Sequence, residues 1–105
     1  MFYVIYDMDQ YLIDIDYPDA PDDEFISLIS SQRTMINAYM HEGIVTSYSL
    51  SSDRTKLWVT IVASSEREVG EILSTFPLIG YMVYSIHKLA FHNTAQFSMP
   101  PISLN

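Results

Sequence analysis

Two carboxylates stand two residues apart in "IYDMDQY": Asp7 and Asp9 are the side chains of this chain best suited to take a proton from carbon. In an extended segment residues i and i+2 point the same way, so both share a side with Tyr3, Ile5 and Tyr11. Burial beside a like charge raises the pKa of one member of such a pair and makes it a usable base. The chemistry such a pair suits is general acid–base catalysis. A bulge near Asp9-Gln10 is the competing arrangement, and it would turn one or both acids to solvent.

Histidine offers a second acid–base group. His87 and His92 lie five residues apart on one strand-like run, so they point to opposite faces and only one can line a given cavity. His87 shares its face with Tyr81, Val83 and Ser85, which makes it the interior candidate, and a hydrogen-bonded core histidine is the alternative. His41, near the end of a helical stretch, is accounted for by the helix dipole. Arg54 and Lys56 flank a hairpin tip, where they can receive a substrate carboxylate or remain solvated. Eight tyrosines include Tyr3, Tyr6, Tyr48, Tyr81 and Tyr84 on strand-like runs, and a phenol on such a wall suits a flat oxygenated ligand. The candidate catalytic residues are therefore Asp7, Asp9 and His87. The candidate substrate contacts are Arg54, Tyr3, Tyr48 and Tyr81.

Other chemistries find little support. "DIDYPD" resembles a calcium loop, but it has no glycine at the sharp turn and Pro18 interrupts the ligand spacing. Asp19 as a helix cap, with Asp22, Asp23 and Glu24 facing the positive helix end, explains those acids more simply. Gly43, Gly70 and Gly80 are too far apart for a phosphate loop, and the absence of cysteine removes thiolate sites and disulfides together. No metal or cofactor is expected. The net charge is −8, with 8 of the 13 acids in the first 24 positions, so nucleic acid and anionic membranes are poor partners. No apolar run approaches the ~18 residues of a membrane span, and the opening residues lack a basic leader, which points to a cytoplasmic protein.

The elements that must position these residues follow from periodicity. Residues 2–17 alternate as a strand, and from Pro21 the period becomes helical through Phe25, Leu28, Ile29, Ile36, Tyr39 and Met40 until Gly43 stops it. "GIVTSYSL" and "KLWVTIVAS" read as strands joined by the hairpin connection "SSDRT". Ser65 and Glu68 form a capping box for a short second helix that Pro77 ends, Gly80 permits the reversal, and "YMVYSIHKLAF" is the last strand. The order βαββαβ predicts a ferredoxin-like α+β fold in one domain over residues 1–92, with an antiparallel four-stranded sheet carrying both helices on one face.

Apolar residues fall on both faces of the strands, in Leu57, Val59 and Ile61 against Trp58 and Val62, while two helices cover only one face. A second copy packed sheet to sheet would cover the other and give a dimeric α+β barrel. The tail, residues 93–105, carries Phe97, Met99, Ile102 and Leu104 beside Pro100-Pro101 and reads as an arm onto a neighbouring subunit or as a frayed end.

From Gly43 to His92 the chain resembles the muconolactone isomerase family. The resemblance is carried by Gly43, Arg54, Ser65, Glu68, Leu73, Ser74, Pro77, Leu78, Tyr81, Met82, Leu89, Ala90 and His92, and by the pair Met8-Asp9 near the start. It implies a barrel that dimerises through its sheets and a cofactor-free, proton-transfer isomerisation of an unsaturated lactone or related cyclic or polyketide-like substrate, in which a proton leaves one carbon and returns to another. That double-bond shift needs a base, for which Asp7 and Asp9 are the candidates, a donor for the enolate oxygen and an apolar pocket that excludes water. Similar barrels host cyclases and cofactor-free oxygenases, and a non-catalytic dimeric module binding a small hydrophobic ligand is the remaining alternative.

Overall fold

The alternation that opens the chain forms β1, Asp9–Asp16, in a computed structural model that describes residues 8–93 and 95. Tyr3 and Asp7 and nearly all of the tail lie outside the described residues. There follow α1 (Asp23–His41), β2 (Val45–Leu50), β3 (Lys56–Ala63), α2 (Glu66–Leu73), a single 3-10 turn (Ile79–Tyr81) and β4 (Val83–Lys88). All strand pairs are antiparallel in the order β2-β3-β1-β4, the ferredoxin-like α+β arrangement expected from the sequence.

Register decides what each face holds. Ile13 lies opposite Val59 and Ile86, Tyr11 opposite Ile61 and Ile15 opposite Leu57, so beyond Asp9 this face of the two central strands is apolar. The helices cover this face, burying Tyr11, Ile13, Ile15, Leu57, Val59 and Ile61. The alternate positions form the open face: Leu12 opposite Thr60 and His87, and Asp14 opposite Trp58 and Ser85. Here Lys56 sits 2.6 Å from Asp14 and 3.0 Å from Asp16, so the acids of the calcium-like stretch already hold an internal cation. The open face is thus mixed, with Trp58 and the 71% exposed Val83 set among ionic and hydroxyl groups.

Helix α1 starts two residues later than its apolar stripe suggests. Asp22, not Asp19, is the N-cap, its carboxylate accepting the Phe25 N–H at 2.8 Å. At the far end Gly43 adopts φ +78°, with Ile44 N–H bonded to the Tyr39 carbonyl and Gly43 N–H to that of Met40. This is the paired-bond helix stop that needs a left-handed residue, which glycine supplies without strain. Ser65 caps α2 as expected, but the carboxylate of Glu68 reaches back to the N–H and hydroxyl of Ser64, one residue earlier than a regular capping box. These bonds hold the Glu68 carboxyl below its usual pKa. The helix ends at Leu73, before Pro77, and Gly80 lies inside the 3-10 turn. Among the described residues no helix is long and apolar enough to cross a membrane.

Candidate active site

Between the first half of α1 and the β2–β3 hairpin, on the helix-covered side of the sheet, lies a cavity of about 280 Å³. Ligand sites span roughly 300–1,000 Å³, so this one suits a single small ring. Phe25, Ile36, Leu50, Leu57 and Leu78 supply apolar wall, and Tyr17, Gln32, Tyr48, Arg33 and Arg54 supply polar groups.

Tyr17 follows β1 directly, and its backbone N–H extends the ladder by bonding to the Thr55 carbonyl at 2.9 Å. Its ring meets Phe25 edge to face, with centroids 5.3 Å apart, and Phe25 in turn meets Tyr81 at 5.1 Å. The Tyr17 hydroxyl accepts a hydrogen bond from the side-chain amide of Gln32 at 3.0 Å. Gln32 is only 5% exposed, and its carbonyl oxygen accepts the buried N–H of Leu78 at 3.1 Å. One glutamine therefore ties α1 to the segment after β1 and to the approach to β4. Burial pushes the Tyr17 phenol up to about 12, with the Gln32 bond opposing, so it is a neutral phenol at physiological pH.

The hairpin at the cavity mouth is pinned by one carboxylate. Asp53 accepts from the Ser51 hydroxyl at 2.7 Å and from the N–H and hydroxyl of Thr55 at 3.1 and 2.8 Å. These bonds, the one from Ser51 first, hold its carboxyl below the usual range and make it a poor base. Beside it Arg54 adopts φ +66°, a region that costs a residue with a Cβ about 1 kcal/mol. The strain sits on a guanidinium at the cavity edge, which fits a functional position. Arg54→Gly is expected to stabilise the fold by up to about 1 kcal/mol in chemical denaturation while weakening the binding of a carboxylate ligand.

Of the residues singled out from the sequence, Tyr48 and Arg54 border the cavity. Tyr48 also donates its hydroxyl to the Asn37 side chain at 3.0 Å. Asp9 does not reach the cavity: it sits at the other end of β1, 3.3 Å from the ammonium of Lys88. His87 is exposed on the opposite side of the sheet, 3.0 Å from the Ser85 hydroxyl. The pairing of Leu12 with His87 puts that histidine on the open face, so Asp9 and His87 cannot serve one site within a chain. Tyr81 is directed to the start of α1, its hydroxyl donating to Asp22 at 3.1 Å and Glu24 at 3.2 Å. Burial first, and then these carboxylates, push its phenol up to about 12. Tyr17, Gln32 and Arg33 line the cavity as well, and the sequence did not single them out.

A family model described as Muconolactone delta-isomerase matches residues 10–95, which include every element described above except the first residue of β1. No curated protein is matched by the chain.

Proposed function

From the chain's membership of the muconolactone delta-isomerase family, we propose that it is a cofactor-independent isomerase acting on a small unsaturated lactone that bears a carboxylate. The observation that carries this reading is the cavity: single-ring size, apolar walls, and arginines 33 and 54 at its margin. The guanidinium groups suit a carboxylate, and the walls suit the ring. A base takes a proton from the saturated ring carbon next to the double bond that is conjugated with the lactone carbonyl. The C–H electrons form a new double bond, the old double-bond pair shifts to the bond beside the carbonyl carbon and the carbonyl pair moves onto oxygen; collapse of that dienolate delivers a proton to the carbon next to the carbonyl. No electrons are gained or lost overall.

Of the two carboxylates that border the cavity, Asp53 is engaged by Ser51 and Thr55, so Asp19 is the base candidate there; Asp7, outside the described residues, stays a candidate as well. Incubation with muconolactone in deuterated water is expected to place deuterium at the ring carbons. Exchange no faster than the uncatalysed background would remove the isomerase reading and leave a module that binds such rings without converting them, a reading favoured by the distance of Asp9 and His87 from the cavity.

A second copy covering the open face remains the best account of Trp58 and Val83. Val83 is 71% exposed in the single chain, so Val83→Asp leaves the fold intact while placing an unpaired charge in a sheet-to-sheet contact. Light scattering is expected to give a dimer for the unmodified protein and a monomer for the variant; equal masses would refute the contact.

A further inference from the structure

The Gln32 amide has a fixed sense. The Leu78 N–H can only donate, so it must face the carbonyl oxygen of Gln32, and the NH2 group must face Tyr17. The phenol oxygen of Tyr17 is therefore the acceptor in that contact, and its own proton takes no part in it. It donates to no acceptor among the described residues. Both residues border the cavity.

We propose that Tyr17 offers its hydroxyl proton into the cavity and binds the enolate oxygen of the ligand, with Gln32 as the positioning residue that prevents the phenol from turning its proton inward. This rests on the cavity being the substrate site, and it does not require that the ligand be turned over. A neutral donor held in a largely apolar site stabilises oxygen in proportion to the charge it carries, so it favours an enolate over the parent carbonyl. The contact supplies the donor that the double-bond shift demands and that neither arginine provides once both hold the carboxylate. It also names the ligand class: a planar five-membered lactone whose ring oxygen substituent is anionic.

The probe is tetronic acid, a lactone that carries its enolate at neutral pH, set against its neutral methyl ether. Binding of each is measured by calorimetry on the full chain. The unmodified protein is expected to prefer the enolate, and Tyr17→Phe to lose about 10- to 100-fold in affinity for it with a much smaller change for the ether. A merely structural phenol would weaken both alike. Gln32→Glu keeps the shape but, where ionised, offers Tyr17 an acceptor instead of a donor, so the phenol turns its proton away from the ligand. The preference for the enolate should collapse in that variant although Tyr17 is intact. Tetronate binding that is undetectable, or unchanged in Tyr17→Phe, would overturn the proposal. Tyr17-dependent tetronate binding by a protein that exchanges no deuterium into muconolactone would uphold the contact and remove only the isomerase reading.

Discussion

Replacing Gln32 by leucine is expected to lower the free energy of unfolding by about 2–3 kcal/mol, although the exchange is from polar to apolar in a buried position. Leucine is close in size, so little cavity is created. The loss arises because the Leu78 N–H and the Tyr17 hydroxyl are both deprived of their partner, and the Leu78 bond is fully buried. A buried donor without an acceptor carries its whole desolvation penalty, whereas apolar burial by the new side chain recovers only part of it. Arg33→Gln, next in sequence and exposed, is the control and should move stability by less than about 0.5 kcal/mol. Urea denaturation at neutral pH measures both. Equal, small changes would show that the Gln32 contacts are dispensable.

Phe76→Ala should cost more, about 3–5 kcal/mol, a large part of the roughly 5–15 kcal/mol by which such domains are stable. Phe76 is 1% exposed and is the largest fully buried side chain among the described residues. It stands between α2 and the 3-10 turn, its carbonyl accepting the Ile79 N–H at 3.0 Å, and its ring lies 6.1 Å from that of Tyr39 on α1. Removing it opens a void where α1, α2 and the path to β4 converge, a place with rigid neighbours and little freedom to collapse. The thermal midpoint should fall by about 10 °C or more. Phe76→Leu, which fills most of the space, should recover the greater part. A midpoint unchanged in Phe76→Ala would mean that this junction adds nothing to cooperative folding.

The fold was legible because its signals are local. Ser65 caps α2, Gly43 stops α1 and the alternating residues of β1 and β3 form strands, each from a pattern spanning a few residues. The lining of the candidate cavity was legible only at Arg54 and Tyr48, which stand at and beside the β2–β3 hairpin. Gln32 was hidden because a polar residue amid a helical stripe reads as solvent-facing, and only the Leu78 N–H, 46 residues away, reveals why it is inside. The stripe misled in the other sense too, since Ile29 and Met40 fall on it and are 38% and 40% exposed. Tyr17 was passed over as the last residue of an alternating run, whereas its partners come from two distant segments. The separation of Asp9 from His87 could not be read at all, because parity along one strand says nothing of another until the register between them is known. That register is a property of the whole sheet.

The two sides of β1 answer to different demands. Residues 11, 13 and 15 build the floor beneath the helices and lead to Tyr17, while residues 12, 14 and 16 meet Thr60, Trp58 and Lys56 on the far side. Substitutions confined to opposite sides of a sheet share few neighbours, so their effects on stability should add with little coupling. A lineage carrying this strand can therefore alter one surface while conserving the other, one residue at a time, without passing through a variant that has lost both.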